Sequence, residues 1–270
     1  MRAIGGLLGG LDQREELRQC EQHGEYTCHL TQLGSRLIAS LCPTCEQERI
    51  AAQEQAERER READYRAQLI QRIGIPRRFA DATLASYQPT SDRAEKVLAA
   101  CRRYVETWPE RYAKGSSLIL SGDVGTGKTH LACAVAKAIA AKHKARAAYM
   151  TVMQAVRRVR STYSPDARET EQEVFDRLSG LDLLVLDEVG VQSGSNHEHT
   201  TLFEIINRRY ENVLPTIVVS NLGLKELSEA IGERLVDRLR EQGAVLTLTW
   251  DSYRGRVHKD DALANKRGSE

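Results

Sequence analysis

The sequence predicts an α/β protein: a five-stranded parallel sheet covered by helices on both faces, preceded by a small cysteine-rich module and a helical linker. Three observations carry this expectation. Apolar β-like runs alternate with helical ones beyond residue 116. The first of them leads into a glycine-rich turn ending in Lys-Thr. Two Cys/His pairs lie within the first 45 residues. Strands that are apolar throughout, rather than alternating, are buried on both faces, and that is the parallel arrangement.

The bulk properties bound the function. A chain of 270 residues makes one or two domains. With 41% hydrophobic and 29% charged residues it can bury a core. A net charge of +1 points to no strongly basic or acidic partner, so charge must be read locally. No apolar run approaches the ~20 residues of a membrane span. "AIGGLLGGL" faintly resembles the apolar part of an export signal. It is glycine-rich, no small-residue cleavage pattern follows, and it runs into "DQREE". The expectation is a cytoplasmic protein with no membrane partner. Four of the six cysteines lie in the first 45 residues, and clustered thiols in a reducing compartment bind metal more often than they pair.

The first stretch, residues 1–46, holds Cys20-x-x-His23 and Cys42-Pro-Thr-Cys45, two knuckles with 18 residues between them. Four nitrogen and sulfur ligands in two pairs fit a closed tetrahedral Zn2+ site. "EYTCHL" and "RLIASL" alternate in polarity, as the strands of a hairpin would, and so could bring the pairs together. A module this small has little core and needs a metal as its staple. Cys28 and His29 compete as ligands. Residues 47–73 are helix formers of mixed charge with Glu and Arg at i, i+3 and i+4, the pattern of a solvated linker helix.

Residues 74–270 form the third stretch. "GIPRRFADATLASYQP" is a connecting segment with two prolines, and a helical pattern runs from Ser91 to about Tyr112. Strands are expected at 117–121, 145–150, 181–187, 215–221 and 244–250. Helices are expected near 128–143, 152–163, 168–179, 198–213 and 224–242. Cys101 and Cys133 fall in helical patterns as small core residues. His197 and His199, in "GSNHEHT", read as part of a surface loop.

Chemistry concentrates at strand ends. Gly122-Asp123-Val124-Gly125-Thr126-Gly127-Lys128-Thr129 matches the P-loop pattern. Its glycines let backbone N–H groups surround phosphates, and the following helix adds its positive end. Lys128 reaches the β- and γ-phosphates of ATP, and the Thr129 hydroxyl is a Mg2+ ligand. "LLVLDE" puts Asp187 and Glu188 at the end of a buried strand, where a carboxylate pair is costly unless it faces a cation. Asp187 would hold Mg2+ through water, and Glu188 would polarise the attacking water. "PTIVVSNL" ends in Ser220-Asn221, where Asn221 can orient that water or touch the γ-phosphate. Arg234 and Arg238 are four apart on one helical face. Either could reach a neighbouring subunit's nucleotide.

The order P-loop, "LLVLDEVGVQ", "INRRYENVLPTIVVSNL", "GERLVDRL" and "WDSYRGR" resembles the DnaC-type replicative helicase loaders, which are AAA+ ATPases. The resemblance covers about Ile75 to Val257. It implies an AAA+ fold without a separate helical lid, for only about twenty residues follow the last strand. It implies Asp187 and Glu188 as the Walker B pair, Asn221 as sensor 1, Arg238 as an arginine finger and Arg254 as the sensor 2 arginine. It further implies a replicative helicase as partner, gripped by the amino-terminal module, and self-association through the ATPase domain. Arg157, Arg158 and Arg160 beside Tyr163 combine phosphate-neutralising charge with a stacking ring, a candidate single-stranded DNA element. Transposition helper ATPases share these motifs and are the rival reading, with duplex DNA and a transposase as partners. A small-molecule kinase would need a substrate pocket and a mobile lid, and neither is evident in the sequence.

Overall fold

The computed structural model describes residues 13–33, 36–190 and 196–253. The chain forms two compact units, Met1–Asp64 and Tyr65–Glu270. "AIGGLLGGL" and Arg254 lie outside the described residues.

The first unit is a three-stranded antiparallel sheet, β1 (Gln13–Cys20), β2 (Gly24–Leu33) and β3 (Arg36–Ala39), in that order. The expected hairpin is β2 with β3, and Thr31 pairs with Ile38. β1 was not expected. Its sequence, QREELRQC, has one aliphatic residue and no apolar alternation, so nothing in it signals a strand. Helix α1 (Pro43–Arg72) starts with Pro43, whose fixed φ suits a first helical turn. The helix therefore begins before the linker stretch and includes Cys45. Along most of its length it is solvated, with a 3.2 Å Arg61–Glu57 pair at i, i+4. Such an exposed pair contributes at most a few tenths of a kcal/mol, ~0.3–0.5. Leu69 is its buried residue.

In the second unit α2 (Asp92–Glu106) is capped by Ser91, whose side chain accepts from the Ala94 N–H. α3 (Trp108–Ala113) follows at once. The single helical pattern expected from Ser91 to Tyr112 is broken at Thr107, because Pro109 has no N–H to continue the ladder. Then come β4 (Leu118–Gly122), α4 (Lys128–His143), β5 (Ala147–Thr151), α5 (Val152–Ser161), α6 (Glu171–Ser179), β6 (Leu183–Asp187), α7 (Asn196–Glu211), β7 (Thr216–Val219), α8 (Leu224–Ile231), α9 (Glu233–Glu241) and β8 (Ala244–Leu248). His197 and His199 sit on α7, not in a loop. The helix expected over 224–242 is two helices. Gly232, at φ 95°, adopts a conformation no helix interior allows.

The five strands are parallel in the order β5-β6-β7-β4-β8. Alternate side chains feed two cores. Leu118, Leu120, Leu183, Val185, Ile217 and Val219 pack under α2 and α4. Ile119, Leu184, Leu186 and Val218 pack under α5, α6, α7 and α9. This double coverage explains why β4, β6 and β7 are buried throughout, while the edge strands β5 and β8 are only partly so.

Arg209 of α7 is fully buried. It donates to the carbonyls of Leu178 (2.7 Å), Leu181 (2.8 Å) and Pro215 (2.6 Å) and to the Thr216 hydroxyl (3.0 Å). Burial pulls its guanidinium down to about 9, so it stays charged at neutral pH. One side chain thus ties the α6–β6 turn to the start of β7. Arg209→Met keeps the bulk but leaves those buried carbonyls unsatisfied. Denaturant unfolding should show a loss of about 3 kcal/mol.

Candidate nucleotide and metal sites

The nucleotide site lies at the carboxyl ends of β4, β6 and β7, where an open α/β sheet presents its ligand crevice. The loop after β4 turns through Gly122 (φ 120°), Gly125 (φ 83°) and Gly127 (φ 92°). The Thr126 hydroxyl donates to the Asp123 carbonyl (2.8 Å), while Asp123 and Val124 stand exposed at the rim. Tyr87 backs the loop, donating its hydroxyl to the Thr126 carbonyl at 2.9 Å. Lys128 is buried at the base, with Nζ 2.8 Å from the Gly122 carbonyl and 2.5 Å from that of Asp123. The cradle is therefore preformed, cationic at its base and open to solvent at its rim.

The residues expected to hold Mg2+ also come together. Thr129 donates its hydroxyl to Asp187 Oδ2 at 2.9 Å, joining the first turn of α4 to the end of β6. A hydroxyl and a carboxylate beside a phosphate cradle are the oxygen donors Mg2+ prefers. Glu188 follows at φ 59°, a left-handed conformation uncommon for a non-glycine residue. Its N–H donates to Asp187 Oδ1 at 2.7 Å, and the residue is exposed. Ser220 binds the turn from β7, donating its hydroxyl to the Val189 carbonyl at 2.6 Å. Asn221 is exposed just beyond it.

Two supports were not read from the sequence. Tyr149 donates its hydroxyl to Asp187 Oδ2 at 2.7 Å from the neighbouring strand. Burial first, and then that bond, push the Tyr149 hydroxyl up, so it stays a proton donor. The chain after β8 also crosses the phosphate loop. The Asp123 N–H donates to the Leu248 carbonyl (2.9 Å), and the Tyr253 N–H donates to the Gly125 carbonyl (3.0 Å). That segment leads directly into Arg254. A tyrosine in an apolar strand carries no motif, so the first support had no sequence signal; the second falls in "WDSYRGR", whose contact with the phosphate loop the sequence could not show.

Arg238 sits elsewhere. It is half-buried, donates to Asn207 Oδ1, and stacks over Tyr210 (5.1 Å to the ring centroid) and Phe203 (5.8 Å). It shares a cleft with Ser117 and Thr216, at the amino ends of β4 and β7. Its own phosphate loop lies at the opposite end of those strands. Arg234 is exposed.

On α5 the apolar residues Val152, Ala155, Val156 and Val159 are buried, leaving Arg157, Arg158 and Arg160 on the solvent face. Arg158 pairs with Glu169 at 3.5 Å. Tyr163 is 59% exposed, with its ring 5.9 Å from that of His197.

In the first unit, one donor atom each from Cys20, His23, Cys42 and Cys45 lies within 4.8 Å of the others. Cys20 Sγ is 3.5 Å from Cys45 Sγ, and His23 Nδ1 is 3.7, 3.8 and 3.3 Å from the sulfurs of Cys20, Cys42 and Cys45. Donors about 2.3 Å from a tetrahedral ion stand roughly 3.8 Å apart, so the group fits one zinc ion. His23 Nε2 meets Glu48 Oε1 at 3.2 Å, the outer partner that fixes a ligand imidazole's tautomer. The backbone N–H of Gln22, and then that of His23, hold the Cys20 thiol down at about 6. The neighbouring Cys20 pushes Cys45 up to about 11. Crowded thiols that resist joint ionisation are what a cation relieves. Cys28 is buried against the Ser40 carbonyl and His29 pairs with Glu15, so both lie outside the group.

This strand order, with a phosphate loop between β4 and α4 and an acidic pair after β6, defines a P-loop nucleotide-binding protein of the AAA+ class. Residues 17–261 match the family described as IstB-like ATP binding protein, and the chain belongs to that family. The replicative helicase loader DnaC of Buchnera aphidicola subsp. Schizaphis graminum is 34% identical over 194 residues, 72% of this chain and 77% of that relative. DnaC of Escherichia coli strain K12 is 32% identical over 201 residues, 73% and 80% respectively. A crystal structure of the DnaC helicase loader superimposes with a TM-score of 0.59 at 25% identity, over 64% of this chain and 99% of that one.

The cradle makes a sharp demand at Gly127. A Cβ there would lie 2.6 Å from Tyr87 Cε2, at a φ that side chains rarely adopt. Gly127→Ala should weaken ATP binding by about ten-fold or more, from one to a few kcal/mol of backbone strain. Titration with a fluorescent ATP analogue measures it.

Proposed function

We propose that this protein is an ATP-driven loader that engages a replicative DNA helicase and helps place it on single-stranded DNA. The likeness to DnaC loaders over 72–73% of the chain carries this reading. The same relatives favour it over a transposition helper.

Lys128 holds the β- and γ-phosphates of ATP, and Thr129 and Asp187 hold the Mg2+ that neutralises their charge. Glu188 orients the lytic water, and Asn221 sits within the same crevice to position it. Arg238 acts on a neighbour's nucleotide, because its cleft opens at the end of the sheet away from its own loop. Self-association follows, since each site is complete only with a second subunit. Arg254, next in sequence after the segment that crosses the phosphate loop, takes the sensor 2 role that the resemblance implies. Zn2+ held by Cys20, His23, Cys42 and Cys45 staples the amino-terminal module that grips the helicase. The reduced thiols this requires support a cytosolic setting. Residues 1–46 serve as the adaptor, 47–73 as the linker and 74–270 as the ATPase.

Two measurements test the division of labour. Purified protein should carry about one zinc per chain. Cys42→Ser should lose the zinc and fail to retain replicative helicase in a pull-down, while binding ATP as the parent does. Helicase captured equally by both proteins would refute the adaptor role. Replacing Arg157, Arg158 and Arg160 together with Glu should do the reverse. Helicase capture should persist, single-stranded DNA binding should fall, and any residual affinity should depend less on salt. Unchanged DNA affinity would remove α5 from the DNA surface.

A further inference from the structure

Asp187 is held more firmly than its partnership with Thr129 requires. Its Oδ2 accepts two hydroxyls, Thr129 at 2.9 Å and Tyr149 at 2.7 Å. Its Oδ1 accepts the Glu188 N–H at 2.7 Å. Tyr149 pairs in register with Val185 on β6, two residues before Asp187 and on the same face. Its side chain therefore reaches along the sheet to the carboxylate. The tyrosine backbone is fixed in turn, because its N–H donates to the Ile73 carbonyl at 2.7 Å on the outer edge of β5. Gly74, at φ 82°, passes so close that a Cβ would lie 3.3 Å from the Tyr149 carbonyl.

The two hydroxyls differ in what they must do. Thr129 must turn its oxygen toward a metal when nucleotide binds, and without Tyr149 the carboxylate would then be held only at Oδ1, by the Glu188 N–H, with Oδ2 free to swing. Tyr149 comes from a strand that takes no part in the phosphate cradle. We propose that Tyr149 is a positioning residue of the magnesium site, whose hydroxyl fixes the rotation of the Asp187 carboxylate while Thr129 changes partner. The proposal rests on the reading of this crevice as an ATP and Mg2+ site.

Tyr149→Phe removes the hydroxyl and keeps the ring in its packing. The experiment uses the full chain, a fluorescent non-hydrolysable ATP analogue and a Mg2+ titration, with circular dichroism melting alongside. The half-saturating Mg2+ concentration should rise about ten-fold, the scale of one lost hydrogen bond to a charged group. Nucleotide affinity in EDTA should not change, and the variant should lose some melting temperature, as a lost bond to a buried carboxylate must, while keeping its folded spectrum and a cooperative transition. Where ATP hydrolysis is followed, kcat should fall at limiting Mg2+ and recover as Mg2+ is raised. A parent and variant with the same Mg2+ dependence overturn the proposal. So does a variant that loses its folded spectrum, for the hydroxyl would then serve the fold. A parent that binds nucleotide without any Mg2+ dependence overturns the ATPase reading itself, and this proposal with it.

Discussion

The carboxylate of Asp187 is the constraint on which the nucleotide unit turns. It is buried at the end of β6, where an anion without compensation would cost several kcal/mol. Compensation comes from three directions: the first turn of α4, the middle of β5 and the backbone of its own turn. Each donor fixes a different element, so the strand order and the site geometry are one requirement. β6 must neighbour β5 for Tyr149 to reach, and β4 must lie close enough for α4 to present Thr129. The turn after Asp187 then forces Glu188 into a left-handed conformation, and Ser220 of the next strand holds that turn closed.

Much of this unit was legible in the sequence because its physics is local. A fully buried parallel strand must be apolar, and each of the five was expected within a few residues of its place. The phosphate loop and the acidic pair are legible because their residue types are demanded by phosphate and metal. What was not legible depends on partners distant in sequence. Tyr149 fell in an expected strand and Tyr87 in the connecting segment, and only the assembled sheet gives their hydroxyls a destination. The break at Gly232 was missed because the apolar spacing continues through it, although the glycine itself was visible. Arg209 read as one more basic residue in a helix, yet it is the most completely enclosed cation among the described residues.

The amino-terminal unit obeys a different rule. Among its described residues only Cys28 and Cys42 are buried. Leu17, Leu33 and Leu37 are 75%, 62% and 61% exposed. A sheet with so little enclosed apolar surface has almost no hydrophobic drive to offset its chain entropy. Its order must come from cross-strand hydrogen bonds and from the four-donor group that joins the β1–β2 turn to the start of α1. That is why the ligand spacing was readable while β1 was not. The metal chemistry is written in residue types, whereas a strand stabilised from outside needs no pattern of its own.

Three cations show how environment, not residue type, sets a role. Arg209 makes four hydrogen bonds, to three carbonyls and a hydroxyl, so it cannot leave without orphaning them. Lys128 is held by loop carbonyls at the base of an anion cradle, and a phosphate offers a stronger partner than either carbonyl. Arg238 rests on two aromatic rings and one amide, contacts that are weak and replaceable. Cation–π contact at a partly exposed site is worth only about 0.5–1 kcal/mol. On the proposed role of Arg238, a side chain that is to meet the phosphates of a neighbouring subunit needs this kind of hold. It is ordered enough not to lose rotamer freedom on docking, and loose enough that a triphosphate can take it. On that proposal, Arg238 at the amino end of the sheet and the phosphate loop at the carboxyl end give the protomer a polarity that suits head-to-tail assembly.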